Sequence, residues 1–152
     1  MGQQQLLLIV LGVIIVGIAI AVGISMFKSN ATTSNRDQLI NDLNNLAAKS
    51  QQFYRKPSAM AGGGQTFTGF KLDSIDVANG NGYYQPTATQ PTGATPWGSY
   101  ATVSTDTVTI NTANLQTLYI QGCGNETGRD GQNPVKAYVT ITNNAITAHV
   151  LN

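Results

Sequence analysis

The chain has 152 residues, eight Lys or Arg, seven Asp or Glu and one Cys, with a formal net charge of +1. So small a charge argues against the basic surface of a nucleic-acid-binding protein. One cysteine excludes an intrachain disulfide framework and a zinc site built on several thiolates. No charged side chain precedes Lys28, so we expect an uncharged N-terminal segment followed by about 125 residues, enough for one small core.

The N-terminal segment has the properties of a membrane helix. No polar side chain occurs from Leu6 to Ile24, and only Ser25 interrupts the run before Phe27. As a helix these residues would span about 33 Å, close to the hydrocarbon thickness of a bilayer. The segment lacks a basic start and is longer than the core of a cleaved signal peptide. We therefore predict a retained membrane helix.

Small residues recur inside this segment at a spacing of four. Gly17 and Ala21 form one such pair, and Ala19 and Gly23 form another. This spacing lets helices approach closely in an apolar medium, although membrane helices also tolerate glycine without any such contact. The candidate packing residues are Leu6, Leu7, Val10, Gly12, Ile14, Gly17, Ala21 and Gly23.

An amphipathic helix is predicted next, over residues 35–54. Small polar residues at 28–35 precede it and indicate a membrane exit, a hinge or a weakened stretch of one long helix. Ser34 or Asn35 could cap the amphipathic helix, and Pro57 should end it. Its apolar positions follow helical spacing: Leu39, Ile40, Leu43, Leu46, Ala47, Phe53 and Tyr54.

The remainder of the chain predicts a sheet. Residues 79–99 and 122–133 are rich in turn formers and predict loops. Asn143 and Asn144 lie between two alternating stretches and predict a two-residue hairpin. The predicted strands are 66–71, 100–104, 106–110, 115–121, 135–142 and 145–151.

These elements predict an α+β fold in which the long N-terminal helix packs on a C-terminal antiparallel sheet, since each must cover its apolar face. The expected divisions are an apolar stem helix (1–27), a polar hinge with the amphipathic helix (28–57) and a β-rich head (58–152). The expected core aromatics are Phe53, Tyr54, Phe67, Phe70, Tyr119 and Tyr138. The expected surface aromatics are Tyr83, Tyr84, Trp97 and Tyr100.

The start of the chain resembles the N terminus of type IV pilins and pseudopilins, because Gly2 and three glutamines are followed directly by a run of Leu, Ile and Val. The resemblance implies a structural subunit of an extracellular helical filament that serves adhesion or motility. It also implies anchoring in the inner membrane before assembly, and partners that are copies of itself and the pilus assembly machinery. No cofactor and no nucleic-acid partner are expected.

One departure from that family concerns the fifth residue of the mature chain, which is usually Glu. Here it is Gln5 if counting starts at Met1, or Leu7 if processing occurs after Gly2. Neither can form an ion pair with a neighbouring amino terminus. We expect the polar N-terminal contacts between stems to come instead from the side-chain amides of Gln3, Gln4 and Gln5. Archaeal relatives that also lack this Glu are a further possibility for its origin.

Candidate chemistry is sparse, and no enzyme is predicted. A nucleophilic pair would require Cys123 and His149 to be in contact. A small buried role is favoured for Cys123, and a structural or solvent-facing role is favoured for His149. Glu126, Asp130 and Asn133 offer hard oxygen ligands for calcium. Their spacing does not follow the EF-hand pattern, so a plain turn is the favoured interpretation.

Two N-glycosylation patterns occur, at Asn30 and Asn125. The motif is short enough that chance matches are expected. Two functions other than a pilus subunit stay open: a signal-anchored membrane protein with a monomeric extracytoplasmic binding head, and a pseudopilin of a secretion or DNA-uptake system. The single flanking charge at Lys28 slightly favours a head inside the cell, whereas the pilin resemblance requires it outside.

Overall fold

The computed structural model describes residues 2–92 and 109–151. It has the predicted α+β arrangement, in which one long N-terminal helix packs on a four-stranded antiparallel sheet. A short 3-10 turn also occurs at Ser58–Met60. The helices are α1 (Gly2–Arg55) and α2 (Ser74–Val77), and the strands are β1 (Gly82–Thr87), β2 (Leu118–Thr127), β3 (Pro134–Ile141) and β4 (Ile146–Val150).

Helix α1 contains 54 residues and is about 81 Å long. It passes through 28–35 without a break, so these residues form part of one long helix and are not a hinge. The predicted cap at Ser34 or Asn35 is wrong because no helix begins there. Asn35 is instead buried against the head, where its amide donates to the carbonyl oxygen of Asn81 at 2.9 Å. The helix ends just before Pro57, as predicted.

The sheet has the strand order β1-β2-β3-β4, and each strand is antiparallel to its neighbours. The predicted hairpin is confirmed. Ile141 pairs with Ile146, and the backbone nitrogen of Thr142 donates to the carbonyl oxygen of Ala145 at 2.9 Å. The two Asn residues between them make the turn.

Three other sequence predictions were wrong. β1 lies within the predicted loop 79–99, and its Pro86 is tolerated because β1 is an edge strand. The predicted strand 66–71 is not extended, since Gly69 has a φ of +83° that interrupts it. The predicted strands 100–104 and nearly all of 106–110 lie outside the described residues, as do Trp97 and Tyr100.

The third error is the predicted loop 122–133, because β2 continues through its first six residues. Gly122 and Gly124 face α1 where the helix crosses the sheet. A Cβ on Gly124 would clash with the Oδ1 atom of Asn35, and one on Gly122 would lie 3.2 Å from a methyl group of Leu39. Glycine is therefore needed in this strand for a close approach to the helix, not for a turn.

The core lies between one face of α1 and the inner face of the sheet. Leu39 and Leu43 from the helix are fully buried, as are Ile120 and Val139 from the sheet. β4 is different, since all five of its residues are exposed. The alternation in β4 predicts an inner face, but this edge strand lies beyond the main contact of α1 with β2 and β3.

Candidate functional site: the stem and its junction with the head

The apolar N-terminal part of α1, residues 6–27, is termed the stem. Its side chains are exposed on every face; Leu6 is 65% exposed and Ile14 is 52% exposed. The most apolar 18-residue window of α1 has a mean hydropathy of 3.2 and no buried residue. By length and composition this helix could cross a membrane.

The structure places all eight candidate packing residues on this exposed helix. A Cβ added at Gly12, Gly17 or Gly23 would meet no other atom within 4 Å. These glycines therefore serve no close contact within their own chain. Gln3, Gln4 and Gln5 lie exposed in the first turns of α1. Their hydrogen bonding between neighbouring stems stays a prediction.

The second half of α1 is held to the head by a network of hydrogen bonds around a partly exposed carboxylate, that of Asp42. The Oδ2 atom of Asp42 accepts hydrogen bonds from the amides of Asn79 and Asn81, each at 2.8 Å, and from the Tyr84 hydroxyl at 2.7 Å. Burial alone would raise the pKa of Asp42, but hydrogen bonds from Asn81, Tyr84 and Asn79 outweigh it and lower the pKa. Burial and the neighbouring Asp42 carboxylate raise the pKa of Tyr84. We term Asn35, Asp42, Asn79, Asn81 and Tyr84 the polar clamp.

The polar clamp holds the turn before β1 against the helix. Asn35 binds the carbonyl oxygen of Asn81, and the Asn125 amide donates to the carbonyl oxygen of Gly80 at 2.8 Å. The expectation that Tyr84 lies at the surface is wrong, since its ring is buried beneath these bonds. A signal for the clamp was present in the sequence: Asn35 and Asp42 are polar residues within or beside an otherwise apolar helical stripe.

The calcium candidates are arranged as a turn. The Oδ1 atom of Asp130 accepts from the backbone nitrogens of Gln132 and Asn133, and its Oδ2 atom accepts from the Asn133 amide at 2.7 Å. Glu126 lies near the end of β2. Across residues 2–92 and 109–151, no three His, Cys, Asp or Glu side chains are grouped to hold a metal ion. The arrangement fits the plain-turn interpretation.

The structure separates the two candidate nucleophilic residues. Cys123 lies on β2, and His149 lies on β4 with β3 between them. The His149 ring stacks on Tyr138 with centroids 4.7 Å apart. Burial raises the pKa of the Cys123 thiol, and the charge of Lys136 opposes that shift only in part. This disfavours the reactive thiolate.

The two glycosylation candidates differ in setting. Asn30 is exposed on α1, so an attached sugar would point away from the chain's own atoms. The Asn125 amide is occupied by its hydrogen bond to the carbonyl oxygen of Gly80. A sugar on Asn125 would therefore disturb the turn that the polar clamp holds.

The chain matches no protein-family model, no curated protein and no solved structure. The resemblance at the N terminus therefore depends on the chain's own residues.

Proposed function

We propose that the chain is a structural subunit of a type IV pilus-like extracellular helical filament. In this proposal the stem first anchors the subunit in the inner membrane and then bundles with the stems of other copies, with the heads outside. The observation that carries the proposal is that one unbroken helix has an apolar stem exposed on every face and a second half with one face buried against the head.

The stem requires an apolar environment. Burying a Leu, Ile or Val side chain contributes about 1.5–3 kcal/mol, so leaving the whole stem in water would cost on the order of tens of kcal/mol. A bilayer supplies the first such environment, because the stem spans about 33 Å as a helix. A bundle of stems supplies the second and needs no lipid once the subunit leaves the membrane.

Within lipid the hydrophobic effect no longer drives stems together, so close van der Waals packing must do so. The positions best suited for it are Gly17 and Ala21, because the small side chains allow two helix backbones to approach. Contacts between unlike surfaces that do not close into a ring produce an open helical filament. Adhesion or motility would then be a property of the assembled head surface.

Shearing tests the proposal directly. We expect an antibody against the head to detect the chain in sheared extracellular filaments. Gly17→Leu should reduce filament yield about tenfold or more, because overpacking a helix contact costs about 1–3 kcal/mol. The change should leave membrane insertion intact, since a side chain at Gly17 meets nothing in its own chain.

The matched control is Ile18→Leu, which keeps side-chain size at the next position and should leave yield unchanged. If the wild-type chain stays in detergent extracts of the membrane as a monomer, the filament proposal is lost and the signal-anchored alternative takes its place. Assembly confined to the cell envelope would favour the pseudopilin alternative. Normal yield from Gly17→Leu would remove the small-residue packing account.

A further inference from the structure

A groove lies where α1 leaves the head. The helix lines it with Lys28, Thr32 and Arg36, and the segment after β2 lines it with Arg129; its volume is about 610 Å³. The hydroxyl of Thr32 donates to the carbonyl oxygen of Thr127 at 2.8 Å, which ties the two walls together. We term this the junction groove.

Basic side chains from distant parts of the chain line the junction groove. Three of the eight Lys and Arg residues line it, namely Lys28, Arg36 and Arg129, against one acidic side chain, Glu126. Within residues 2–92 and 109–151, the carboxylate oxygen nearest to Arg36 belongs to Asp37, 4.0 Å away and on a side chain that is 65% exposed. Such a pair interacts weakly, so the groove keeps an excess of positive charge.

The end of the groove nearest the stem lies at the level of the polar layer of a bilayer. Phe27 is the last residue of the stem, and Lys28 follows it. Arg36 is eight residues further on, about 12 Å along the helix axis. The polar headgroup layer extends about 5–8 Å beyond the hydrocarbon on each side. A stem that fills the hydrocarbon therefore places Lys28, at the opening of the groove, among the lipid phosphates. The backbone of Arg36 lies just beyond this layer, and its guanidinium group reaches back toward the phosphates because helical side chains point toward the N terminus of their helix.

We propose that the junction groove binds the headgroup phosphate of an anionic phospholipid while the subunit is membrane-anchored. The inference rests on the anchored stage of the proposed function. The guanidinium groups of Arg36 and Arg129 are suited to phosphate oxygens, and Phe27 borders the groove on the side of the acyl chains. A zwitterionic lipid fits less well, because its ammonium group would face the same cations.

The presence of Arg129 distinguishes this site from a cluster of basic residues that simply follows a membrane helix in sequence. It is far from the stem in sequence, and only the fold brings it to Lys28 and Arg36. Binding should therefore depend on Arg129 as well as on the flanking lysine. When the stem is withdrawn from the bilayer into a filament, the bound lipid must be released at this groove.

The test uses the full chain in nanodiscs that contain equal amounts of phosphatidylglycerol and phosphatidylcholine. Native mass spectrometry after release reports which lipid stays bound. We expect phosphatidylglycerol to be retained preferentially, and Arg129→Gln to lower its retention about fivefold, as expected for one cation near a membrane surface. Arg55→Gln removes the same charge from the far end of α1 and should change nothing.

Each other outcome overturns the inference. Equal retention of the two lipids, or equal loss from Arg129→Gln and Arg55→Gln, removes the specific site. Binding of inorganic phosphate to the chain in phosphatidylcholine nanodiscs, lost in Arg129→Gln but without any lipid preference, assigns the groove to free phosphate. Failure of the chain to insert overturns the anchored stage of the proposed function too, whereas normal insertion without a lipid preference overturns only the groove.

Discussion

The two halves of α1 belong to one continuous helix, but their side chains have different surroundings. In the stem, Leu7 is 69% exposed, whereas Leu43 in the second half is fully buried under the sheet. The stem is apolar around its whole circumference, while the second half has an apolar stripe for the core and polar residues elsewhere. The comparison shows that one helix covers the core of its own head with one half and leaves the apolar side chains of the other half uncovered by the described chain.

The largest expected effect on the stability of the head comes from replacing a buried leucine in the second half of α1 by alanine. The same replacement in the stem is its control. Leu43→Ala should destabilise the head by about 2–5 kcal/mol, because it leaves a cavity in the core. Leu7→Ala should leave head stability unchanged. Urea unfolding of the detergent-solubilised chain, followed by near-ultraviolet circular dichroism of the head aromatics, measures both. Equal effects would break the division of α1 into two functional halves.

A smaller effect is expected where the helix crosses the sheet. Gly124→Ala should cost about 1–3 kcal/mol, because the added methyl group is forced against the Asn35 side chain. The control is Gly80→Ala, since a Cβ at Gly80 meets nothing within 4 Å. Denaturant midpoints of the two variants give the comparison. An unchanged midpoint for Gly124→Ala would mean that the helix does not lie so close to β2.

The smallest effect is expected at the polar clamp. Asp42→Asn should cost about 1 kcal/mol at neutral pH, because Asp42 is partly exposed and its three hydrogen-bond donors lose a charged acceptor. Since folding lowers the pKa of Asp42, its contribution is complete above the unfolded-state pKa of about 4 and is lost as pH falls through the folded value.

Unfolding measured from pH 7 to pH 2 checks this sign. The stability difference between the wild-type chain and Asp42→Asn should be constant near neutrality and should shrink in acid. A difference that grows as pH falls would contradict the assigned network, because it would require the protonated side chain to be the better acceptor.

Much of the fold could be predicted because it depends on local patterns. The stem, the stripe through Leu39 and Leu43, and the Asn143-Asn144 hairpin each follow from spacing within a short segment. β1 and the second part of β2, residues 122–127, were missed because their glycines and asparagines are turn formers in isolation. Only the crossing helix reveals that Gly122 and Gly124 are needed for close packing.

The same distinction applies to the candidate site. The stem could be predicted, because an unbroken run of apolar residues forms a helix with no polar side, unlike a helix that packs on a soluble head. The sequence marks Asn35 and Asp42 as unusual polar positions on the helix, but the partners in the polar clamp and the junction groove could not be predicted, because each joins residues distant in sequence. Asp42 meets Tyr84 through the docking of β1, and Arg129, on the segment after β2, lines the same groove as Lys28.

The most direct test of the central claim asks whether stems contact one another in the assembled state. Two co-expressed copies in a Cys123→Ser background would carry one cysteine each, fixed at Ala21 in the first copy and moved through residues 6–27 in the second. Sheared filaments would be oxidised and resolved without reductant. We predict disulfide-linked dimers when the moved cysteine occupies positions that recur every three to four residues, because only close helix backbones allow the bond. Filaments that contain the chain but give no cross-link at any stem position would contradict the account.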